Sequence, residues 1–251
     1  MELNQYKYMF EAEDHHWWYV GNHENFLNIL QRKNIFKNGI IVLDAGCGTG
    51  KWMEILKKSY KINETGIDYN ETALEYARTR GKINFRQGDI NKCIFNESSF
   101  DLITSFDVIA HHNVNDSLAI KNFNTYLNNE GYLLLTVPAY QFLHSKHDEV
   151  VQQDKRYNRK QIKLLLENND FEIIKISYSV CLLFPLALIK RILNKLFACK
   201  VEEHNEVKMP PKIINQLFLL VMRAENFLLR YISLPFGLSV LVLAKKKSVN
   251  K

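Results

Sequence analysis

The sequence predicts an α/β protein built around a mostly parallel sheet of seven strands. Runs of β-branched and aliphatic residues alternate with segments whose apolar residues recur at helical spacing, as in strands joined by crossover helices. Three of the strands end in an aspartate, and the first runs directly into a glycine-rich turn. With 251 residues, 47% hydrophobic and 24% charged, the chain can bury one sizeable core. A single domain with an added segment therefore fits better than two full domains.

Net charge and cysteine spacing limit the classes of partner and the cellular compartment that are expected. The net charge of +6 and the pI near 9.0 indicate an anionic partner, either nucleic acid or a membrane surface. The cysteines form no C-x-x-C pair, which predicts neither a zinc site nor a disulfide framework and favours a reducing compartment. Four acids among the first 14 residues predict that there is no signal peptide and that the protein is cytoplasmic.

The first strand runs into residues 44–50, Asp-Ala-Gly-Cys-Gly-Thr-Gly, and a helix is predicted over residues 51–59. Glycines permit positive φ and let a ligand lie against the backbone, near the amides of the next helix. A nicotinamide or flavin fingerprint needs its third glycine at position 51, which is Lys51. The observed spacing instead resembles motif I of the class I S-adenosylmethionine-dependent methyltransferases; an ordinary strand-to-helix turn is the alternative. The resemblance implies cofactor contacts from this loop: Asp44, Gly46, Cys47, Gly48 and Gly50.

The second strand ends in an acid as well. Asp68 lies about 20 residues past the glycine turn, where a carboxylate can accept both hydroxyls of a nucleoside ribose. Tyr69 would offer its ring to the adenine, and Asn70 would cap the following helix. The alternative is that Asp68 only caps that helix.

The third strand ends in a Gly-Asp pair. It resembles the methyltransferase segment whose carboxylate accepts the adenine amino hydrogen and whose next amide bonds a ring nitrogen, which implies these roles for Asp89 and Ile90. The carboxyl ends of parallel strands share one edge of a sheet, so the three acids should converge on one crevice.

The fourth strand, residues 100–106, is followed by Asp-Val-Ile-Ala-His-His. This resembles the D-V-[LI]-E-H segment of small-molecule methyltransferases, which implies that Ser105 and Phe106 meet the methionine portion of the cofactor. His111 is a candidate base or acceptor-positioning residue, and a helix-capping surface histidine is the alternative. Ala110 stands where the segment has glutamate, so we predict no metal.

Residues 1–36 are predicted to form an aromatic helical flap. Residues 15–19, His-His-Trp-Trp-Tyr, resemble the H-W-W-[FY] element of a bacterial methyltransferase subgroup. Flat rings bury much area at small entropic cost. One interpretation is therefore a flap that closes over the cofactor and brings Trp17 and Trp18 to the acceptor; the other is a helix packed on the core.

Residues 139–159 are predicted as a long loop at a strand's carboxyl end, where such loops usually carry function. They resemble the H-D-E … R-R-Y stretch of the same subgroup. We expect an acceptor-side wall with Tyr140 and Arg156 as binding residues and His147 as a second catalytic candidate; a solvated charged loop is the alternative.

The resemblance also implies a Rossmann-like sheet whose last strand, residues 238–244, is antiparallel to the sixth, residues 171–178. The methyltransferase core would comprise residues 37–179 and 233–248. Residues 180–232 would form a helical insertion between the last two strands, apolar with basic flanks. Such an insertion fits an acceptor cap, a dimer interface or a membrane-interface element.

Together these patterns predict an S-adenosylmethionine-dependent methyltransferase that acts on a small-molecule, glycan-linked or lipid-linked acceptor. A homodimer and peripheral contact with the inner face of the membrane are open alternatives. Two other functions are a non-catalytic cofactor-binding module that docks on membranes and a nicotinamide-dependent oxidoreductase; Lys51 and the lack of a Tyr-x-x-x-Lys pair disfavour the latter. Nucleic acid is not expected, because no N/D-P-P-[YF] tetrapeptide follows the fourth strand and the basic residues are scattered.

Overall fold

The computed structural model describes residues 3–196 and 209–248. Within these residues the chain forms seven strands, nine α-helices and a 3-10 turn at Gln141–Leu143. The strands are β1 Ile40–Ala45, β2 Ile62–Asp68, β3 Asn84–Gln87, β4 Phe100–Phe106, β5 Leu127–Pro138, β6 Phe171–Ser179 and β7 Ser239–Lys246. The helices are α1 Leu3–Ala12, α2 Trp17–Arg32, α3 Lys51–Ser59, α4 Glu71–Thr79, α5 Asp116–Tyr126, α6 Lys146–Val150, α7 Arg159–Glu167, α8 Phe184–Leu196 and α9 Lys212–Leu229.

All seven strands form one sheet in the order β3-β2-β1-β4-β5-β7-β6. The pairs among β1 to β5 are parallel, whereas β7 is antiparallel to both of its neighbours, β5 and β6. This confirms the predicted α/β class, the mostly parallel sheet and the antiparallel last strand. Because the first five strands run in the same direction, the loops that follow β1, β2, β4 and β5 emerge at the same edge of the sheet.

Two helical layers cover the sheet, and adjacent strand residues face opposite layers. In β1, Val42 packs with one apolar cluster and Leu43 with the other, as the two-residue period of a strand requires. Helices α2, α3 and α4 bury Phe26, Leu30, Met53, Leu56 and Leu74 on the first face. Helices α5 and α7 bury Ile120, Phe123, Tyr126, Ile162 and Leu166 on the second. The sheet is thus closed on both faces, and its exposed strand ends are left for a ligand.

Local sequence signals set several boundaries as expected. Helix α3 begins at Lys51 and ends at Ser59, and the side chain of Asn70 accepts a hydrogen bond from the Thr72 amide at 2.8 Å, capping α4. Asn158 caps α7 in the same way and forms a capping box with Gln161. Here the predicted elements match the structure because the signal lies within one helical turn.

Other expectations needed correction. The predicted helical flap over residues 1–36 contains two helices, α1 and α2, and α2 continues from Trp17 to Arg32. Leu118 of α5 is 40% exposed, because the helix buries Ala119 and Ile120 instead. The predicted loop over residues 139–159 contains the 3-10 turn and α6. Apolar spacing alone did not identify which side of these helices meets the sheet.

The predicted insertion, residues 180–232, contributes α8 and α9 between β6 and β7; its residues 197–208 lie outside the described part of the chain. Helix α9 packs along α2, and a Cβ added to Gly21 would lie 2.9 Å from the Cβ of Met222. Glycine at position 21 therefore allows the two helices to approach closely. Across residues 3–196 and 209–248, no helix combines the length and apolarity that crossing a bilayer requires.

Candidate active site

A cavity of about 1010 Å³ opens at the carboxyl ends of β1, β2 and β4. The glycine loop, residues 44–50, and the acids that follow the strands form part of its wall. Residues of α1 and the first half of α2 line it from the N-terminal segment, and α8 and α9 line it from the insertion. The topology thus brings segments from both ends of the chain to the edge of the sheet predicted to bind the cofactor.

The glycine loop contains positions that only glycine can occupy without strain or a steric clash. Gly46 has a φ of +85°, and a Cβ at this position would lie 2.2 Å from Cγ2 of Val108. The amides of Gly46 and Cys47 both donate to the carbonyl of Ile67 at 2.8 Å, which holds the loop to β2. Gly46, Cys47 and Gly48 line the cavity. Backbone is therefore open to a ligand at the predicted place.

Gly50 is the exception within this loop. It has a φ of +80° and begins α3, and a Cβ there would lie 2.7 Å from the Phe85 ring and 2.9 Å from the Ala77 Cβ. It is not among the residues that line the cavity. Gly50 thus allows close packing of α3 against β3 and α4, and its contact with the cofactor stays a prediction.

Asp68 lies at the cavity with both carboxylate oxygens oriented by backbone amides. Oδ2 accepts from the Gly48 amide at 2.9 Å, and Oδ1 accepts from the Asn70 amide at 2.9 Å. Burial raises the pKa of Asp68, and these two hydrogen bonds oppose that rise. Each oxygen keeps a further lone pair for a ligand hydroxyl. Because Asn70 is the N-cap of α4, the alternative in which Asp68 only caps that helix is wrong.

Tyr69, Asp89 and Ile90 also line the cavity. Tyr69 is 72% exposed, so its ring is available at the rim. Oδ1 of Asp89 accepts from the amide of Asn91 at 2.9 Å and from its side-chain nitrogen at 3.0 Å. The structure therefore brings the acid after β3 to the cavity that holds Asp68, as expected from the parallel strands.

Asp44 is buried at the end of β1, where the hydroxyl of Thr104 donates to its Oδ1 at 2.7 Å. Burial raises the pKa of Asp44 to about 7, although the Thr104 hydrogen bond opposes the rise. The buried hydroxyl of Ser105 donates to the carbonyl of Ala45 at 2.8 Å, and Ser105 does not line the cavity, so its contact with the cofactor stays a prediction. Phe106 does line it and stacks on Phe26 with ring centroids 4.0 Å apart.

The N-terminal segment lies over the glycine loop. The terminal methyl of Met9 is 2.7 Å from where a Gly48 Cβ would be, and the Glu13 carboxylate accepts a hydrogen bond from the Thr49 hydroxyl. Arg80 joins this contact with an Nη2 to Oε2 distance of 2.9 Å to Glu13. Burial raises the pKa of Glu13 to about 7, opposed by Thr49 and Arg80. A buried polar cluster thus fastens the N-terminal segment to the loop.

The predicted aromatic pair begins α2. The ring Nδ1 of His16 accepts from the Trp18 amide at 3.2 Å, so the histidine of the H-W-W element is the N-cap. Trp17 and Trp18 line the cavity, and the Trp17 ring meets the Phe218 ring edge-on with centroids 5.4 Å apart. Both sequence interpretations of this segment describe part of it, because the start of α2 faces the cavity while Phe26 packs in the core.

Of the four other acceptor-side candidates, two histidines line the cavity. They are His111 and His147, and burial lowers the pKa of His111, which favours its neutral form. Tyr140 does not line it: its ring stacks on Tyr178 with centroids 5.0 Å apart. The role of Tyr140 as a binding residue stays a prediction.

Arg156 lies at the cavity wall, but its donors are engaged elsewhere. Its Nε and Nη2 donate to Oδ1 of Asp148 at 3.0 and 2.6 Å, and its Nη1 donates to the carbonyl of Ala139 at 2.9 Å. Burial tends to raise the pKa of Asp148, but the charge and hydrogen bonds of Arg156 outweigh it and hold that pKa below its usual range. Arg156 therefore holds α6 to the end of β5, and its predicted role in binding the acceptor stays a prediction.

A sequence profile described as "Methyltransferase domain" matches residues 36–198, more than half of the chain. The chain belongs to this family. Membership confirms the predicted methyltransferase class, and the structural neighbours share its fold. The methyltransferase domain therefore spans the glycine loop, the acids and the loop after β5.

Curated relatives match shorter stretches of this methyltransferase. A sterol 24-C-methyltransferase of Aspergillus fumigatus is 30% identical over 99 residues, covering 37% of this chain and 26% of the relative. A demethylmenaquinone methyltransferase of Leptospira interrogans is 34% identical over 93 residues, covering 33% of this chain and 37% of the relative. A probable tRNA methyltransferase 9B of Mus musculus is 35% identical over 105 residues, covering 41% and 23%. The chain spans less than two fifths of the length of these relatives.

Solved structures match nearly the whole fold. A putative sarcosine dimethylglycine methyltransferase from Galdieria sulphuraria superposes with a TM-score of 0.62 at 14% identity, covering 91% of this chain and 86% of that one. A geranyl diphosphate C-methyltransferase from Streptomyces coelicolor, solved with Mg²⁺, geranyl diphosphate and S-adenosyl-L-homocysteine, superposes with a TM-score of 0.59 at 12% identity, covering 89% and 80%. At these identities the likeness concerns the fold.

Sequence reasoning missed Asp107. This residue directly follows β4 with a φ of +60°, lines the cavity, and has an Oδ1 3.3 Å from the Thr136 hydroxyl. Burial raises the pKa of Asp107 to about 6, opposed by Thr136 and by the charge of Arg156. The rule that identified Asp68, an acid at the carboxyl end of a parallel strand, would have found it.

Over residues 3–196 and 209–248, no three His, Cys, Asp or Glu side chains come together as a metal site. The prediction of a metal-independent site stays a prediction.

Proposed function

We propose that this protein transfers a methyl group from S-adenosylmethionine to an apolar small molecule or to a lipid-linked or glycan-linked acceptor. One observation carries the cofactor part: Asp68 and the glycine loop meet in one cavity, with both carboxylate oxygens oriented by backbone amides. This arrangement fits a nucleoside ribose, whose paired hydroxyls donate to a single carboxylate. Family membership supports the same class.

The described residues divide the work of holding the cofactor. Asp68 would accept the ribose hydroxyls, Asp89 and Ile90 would meet the adenine, and Tyr69 would cover it from the rim. Gly46 and Gly48 would place the loop backbone against the bound molecule, since both line the cavity. The cofactor supplies an electrophilic methyl group on a sulfonium, so the protein has mainly to align the acceptor and exclude water.

Three side chains are candidates for removing a proton from the acceptor. His111 is held neutral by burial, and a neutral imidazole can accept a proton near pH 7. Asp107 lines the same cavity with a pKa raised to about 6, and His147 lines it from α6. We assign His111 as base or acceptor-positioning residue, with Asp107 added to the two histidines that the sequence indicated.

The acceptor part of the proposal is supported by the apolar side chains of the cavity. Trp17, Trp18, Leu183, Leu186 and Phe218 line it. Apolar walls favour an apolar ligand portion because burial removes that portion from water. The relatives named for sterol, demethylmenaquinone and geranyl diphosphate methylation agree with this class of acceptor, whereas the tRNA methyltransferase relative does not. Cytoplasmic location and a homodimer stay predictions.

Two measurements test the proposal. Native mass spectrometry of the purified protein should detect S-adenosylmethionine or S-adenosylhomocysteine, and calorimetry should show saturable binding of S-adenosylhomocysteine. Mass spectrometry of an organic-solvent extract should identify a co-purifying apolar acceptor. NADH titrated in parallel is the control for the oxidoreductase alternative; binding of NADH without binding of S-adenosylhomocysteine would contradict the proposal.

A further inference from the structure

The outer face of α9 carries an uninterrupted apolar stripe. Its members are spaced four, three, four, three and four residues apart, so they share one side of the helix. Each is exposed, and Ile213 is 81% exposed. The apolar stripe consists of Ile213, Leu217, Leu220, Ala224 and Phe227 on α9, continued by Tyr231 two residues past the end of the helix. A continuous exposed stripe of this kind marks an interaction surface.

The opposite face of α9 packs against the rest of the protein. Met222, Glu225, Asn226 and Leu229 are buried there, and the Asn226 side chain donates to the carbonyl of Gly21 at 2.8 Å. Arg223 fastens the helix to α2 through Glu24, with contacts of 2.9 and 2.7 Å. Because α9 is held in this orientation, its apolar stripe points outward and not into the fold.

Charge distinguishes among the possible partners of the apolar stripe. Within α8 and α9 the only acid is Glu225, which is buried and accepts from the Leu182 amide at 2.9 Å. The exposed ends of α9 carry Lys212 and Arg230. A second copy packed on this stripe would bring like charges together without acids on the same helices to neutralise them. An anionic bilayer surface complements both the apolar and the basic groups.

A basic cleft lies at the Tyr231 end of the apolar stripe. This cleft of about 490 Å³ is lined by α2, β6 and the end of α9. Its lining contains four cations and, within the described chain, no acid; the cations are Arg32, Lys33, Lys175 and Arg230. The guanidinium of Arg32 lies 5.1 Å from the centroid of the Tyr231 ring. The basic cleft and the apolar stripe are thus continuous.

Capping of helix carbonyl groups does not by itself explain why four cations line the basic cleft. Lys175 does cap α9, since its Nζ donates to the Leu229 carbonyl at 2.7 Å. Burial lowers the pKa of Lys175, and the charges of Arg32 and Lys33 lower it further, so these cations lie close together without a neutralising anion.

A second, independent observation points to a ligand. Asn25 lines the basic cleft and is 1% exposed, and within the described contacts neither its amide oxygen nor its amide nitrogen has a hydrogen-bond partner. The side-chain oxygen of the neighbouring buried Asn226 is likewise unpaired. Buried polar groups are rarely left without partners, and a donor such as the Asn25 amide nitrogen beside several cations suits a phosphate oxygen.

We propose that the apolar stripe and the basic cleft form one docking surface for a bilayer of acidic phospholipid, with the basic cleft holding a lipid phosphate. The inference extends the proposed function, because Phe218 of the same helix lines the cavity while Leu217 faces outward. An apolar acceptor in the membrane would therefore lie beside the helices that cover the cavity. Docking itself requires no methyl transfer and is measured separately.

Vesicle co-sedimentation tests the docking surface. The full chain should bind vesicles of phosphatidylcholine containing about a third phosphatidylglycerol more than tenfold better than vesicles of phosphatidylcholine alone. The triple variant R32Q/K33Q/R230Q should bind the acidic vesicles roughly a hundredfold more weakly, about fivefold for each cation. The variant L217N/L220N should lose binding to them as well, because the bilayer contact needs apolar side chains.

The control is the triple variant K121Q/K160Q/K163Q. It removes the same charge from exposed positions on α5 and α7, which cover the opposite face of the sheet from α2. Its binding to acidic vesicles should stay within about threefold of the wild type. All variants should keep the wild-type melting temperature and S-adenosylhomocysteine affinity, so a failure of docking is distinguishable from a failure of the proposed function.

Four results would overturn the inference. Equal binding to neutral and acidic vesicles would remove the role of the cations. A loss in the control triple variant equal to that in the cleft variant would reduce the effect to net charge. Calorimetric binding of soluble glycerol phosphate without vesicle binding would assign the basic cleft to a free phosphate compound. A concentration-dependent dimer abolished by L217N/L220N would assign the apolar stripe to a second copy of the chain.

Discussion

The glycine-loop region and the insertion region meet in one cavity but are held together in different ways. In the first, Asp68 is oriented by the amides of Gly48 and Asn70, which lie on its own or the neighbouring strand-end loop. In the second, the Trp17 amide donates to the side chain of Asn215 at 2.9 Å, a contact between residues 198 positions apart. Local hydrogen bonds build the cofactor region, whereas distant contacts build the insertion side. A short motif can therefore specify a binding loop but not the distant helices that line the other side of the cavity.

The largest expected effect concerns the buried ion pair on the acceptor side. Asp148→Ala leaves the Arg156 guanidinium buried without its carboxylate, which should lower the free energy of unfolding by about 3–5 kcal/mol. Urea denaturation followed by circular dichroism measures it. Glu167→Ala removes the exposed partner of Lys163 and should change stability by less than about 1 kcal/mol. Equal stability of D148A and the wild type would refute a structural role for the pair.

In the cofactor region the expected loss is in binding. Asp68→Ala removes the carboxylate proposed to accept two ribose hydroxyls and should weaken S-adenosylhomocysteine binding by about 3 kcal/mol, roughly a hundredfold. Isothermal titration calorimetry measures the change. Glu71→Ala, an exposed acid at the start of α4, is the matched control and should bind normally. If both variants bound like the wild type, the ribose assignment would be lost.

The buried acids give the cavity region a pH dependence of its own. The pKa of Asp44 is raised from 3.8 to about 7 and that of Glu13 from 4.5 to about 7, both chiefly by burial. The folded state therefore binds more protons than the unfolded state between about pH 4 and pH 7, so the free energy of unfolding should fall as pH rises through this window.

The expected fall for the ligand-free protein is about 2 kcal/mol for each of the two carboxyls, measured by urea denaturation at about pH 5 and about pH 7.5. The variants D44N and E13Q should each flatten the profile. Asp148, whose pKa is lowered, acts in the opposite direction and loses its contribution only when acid protonates it. A flat wild-type profile would show that the two carboxyls are not protonated near neutral pH.

The smallest expected effect compares two helix caps, one on α4 beside the glycine loop and one on α7 across the sheet. Asn70 accepts from the Thr72 amide at 2.8 Å, and Asn158 accepts from the Gln161 amide at 3.0 Å. Asn70→Ala and Asn158→Ala should each lower the free energy of unfolding by about 1 kcal/mol, because either change leaves one helix N–H without its acceptor. Thermal denaturation of both variants checks that the costs match; unequal costs would mean that one cap also supports the cavity.

Much of the cofactor region could be predicted from the sequence because its signals are local. The helix after the glycine loop was placed at Lys51–Ser59, and the acids ending β1, β2 and β3 were expected to converge. Gly50 and Ser105 lie in the same motifs, but Gly50 packs against a helix and Ser105 bonds a neighbouring strand, which their positions in the motifs do not indicate. A motif identifies the loop, but it does not show whether each of its residues faces the ligand or the protein core.

The acceptor side could be predicted only in outline. Tyr140 has a φ of +57° and turns its ring onto Tyr178, which residue type and position do not indicate. Arg156 was expected at the acceptor because it is an arginine in a functional loop, yet Asp148 neutralises it. Contacts between side chains of separate elements leave no periodic pattern in the sequence.

Four features could be inferred from the sequence: the parallel sheet, the glycine loop, the acids at the strand ends and the helix caps. Each depends on residues within one turn or on the common direction of adjacent strands. Only the tertiary structure decided that Glu13 meets Thr49, that α9 lies on α2, and that the apolar stripe of α9 faces outward. These features depend on packing between distant segments, where shape and charge must match across a surface that no single stretch of sequence contains.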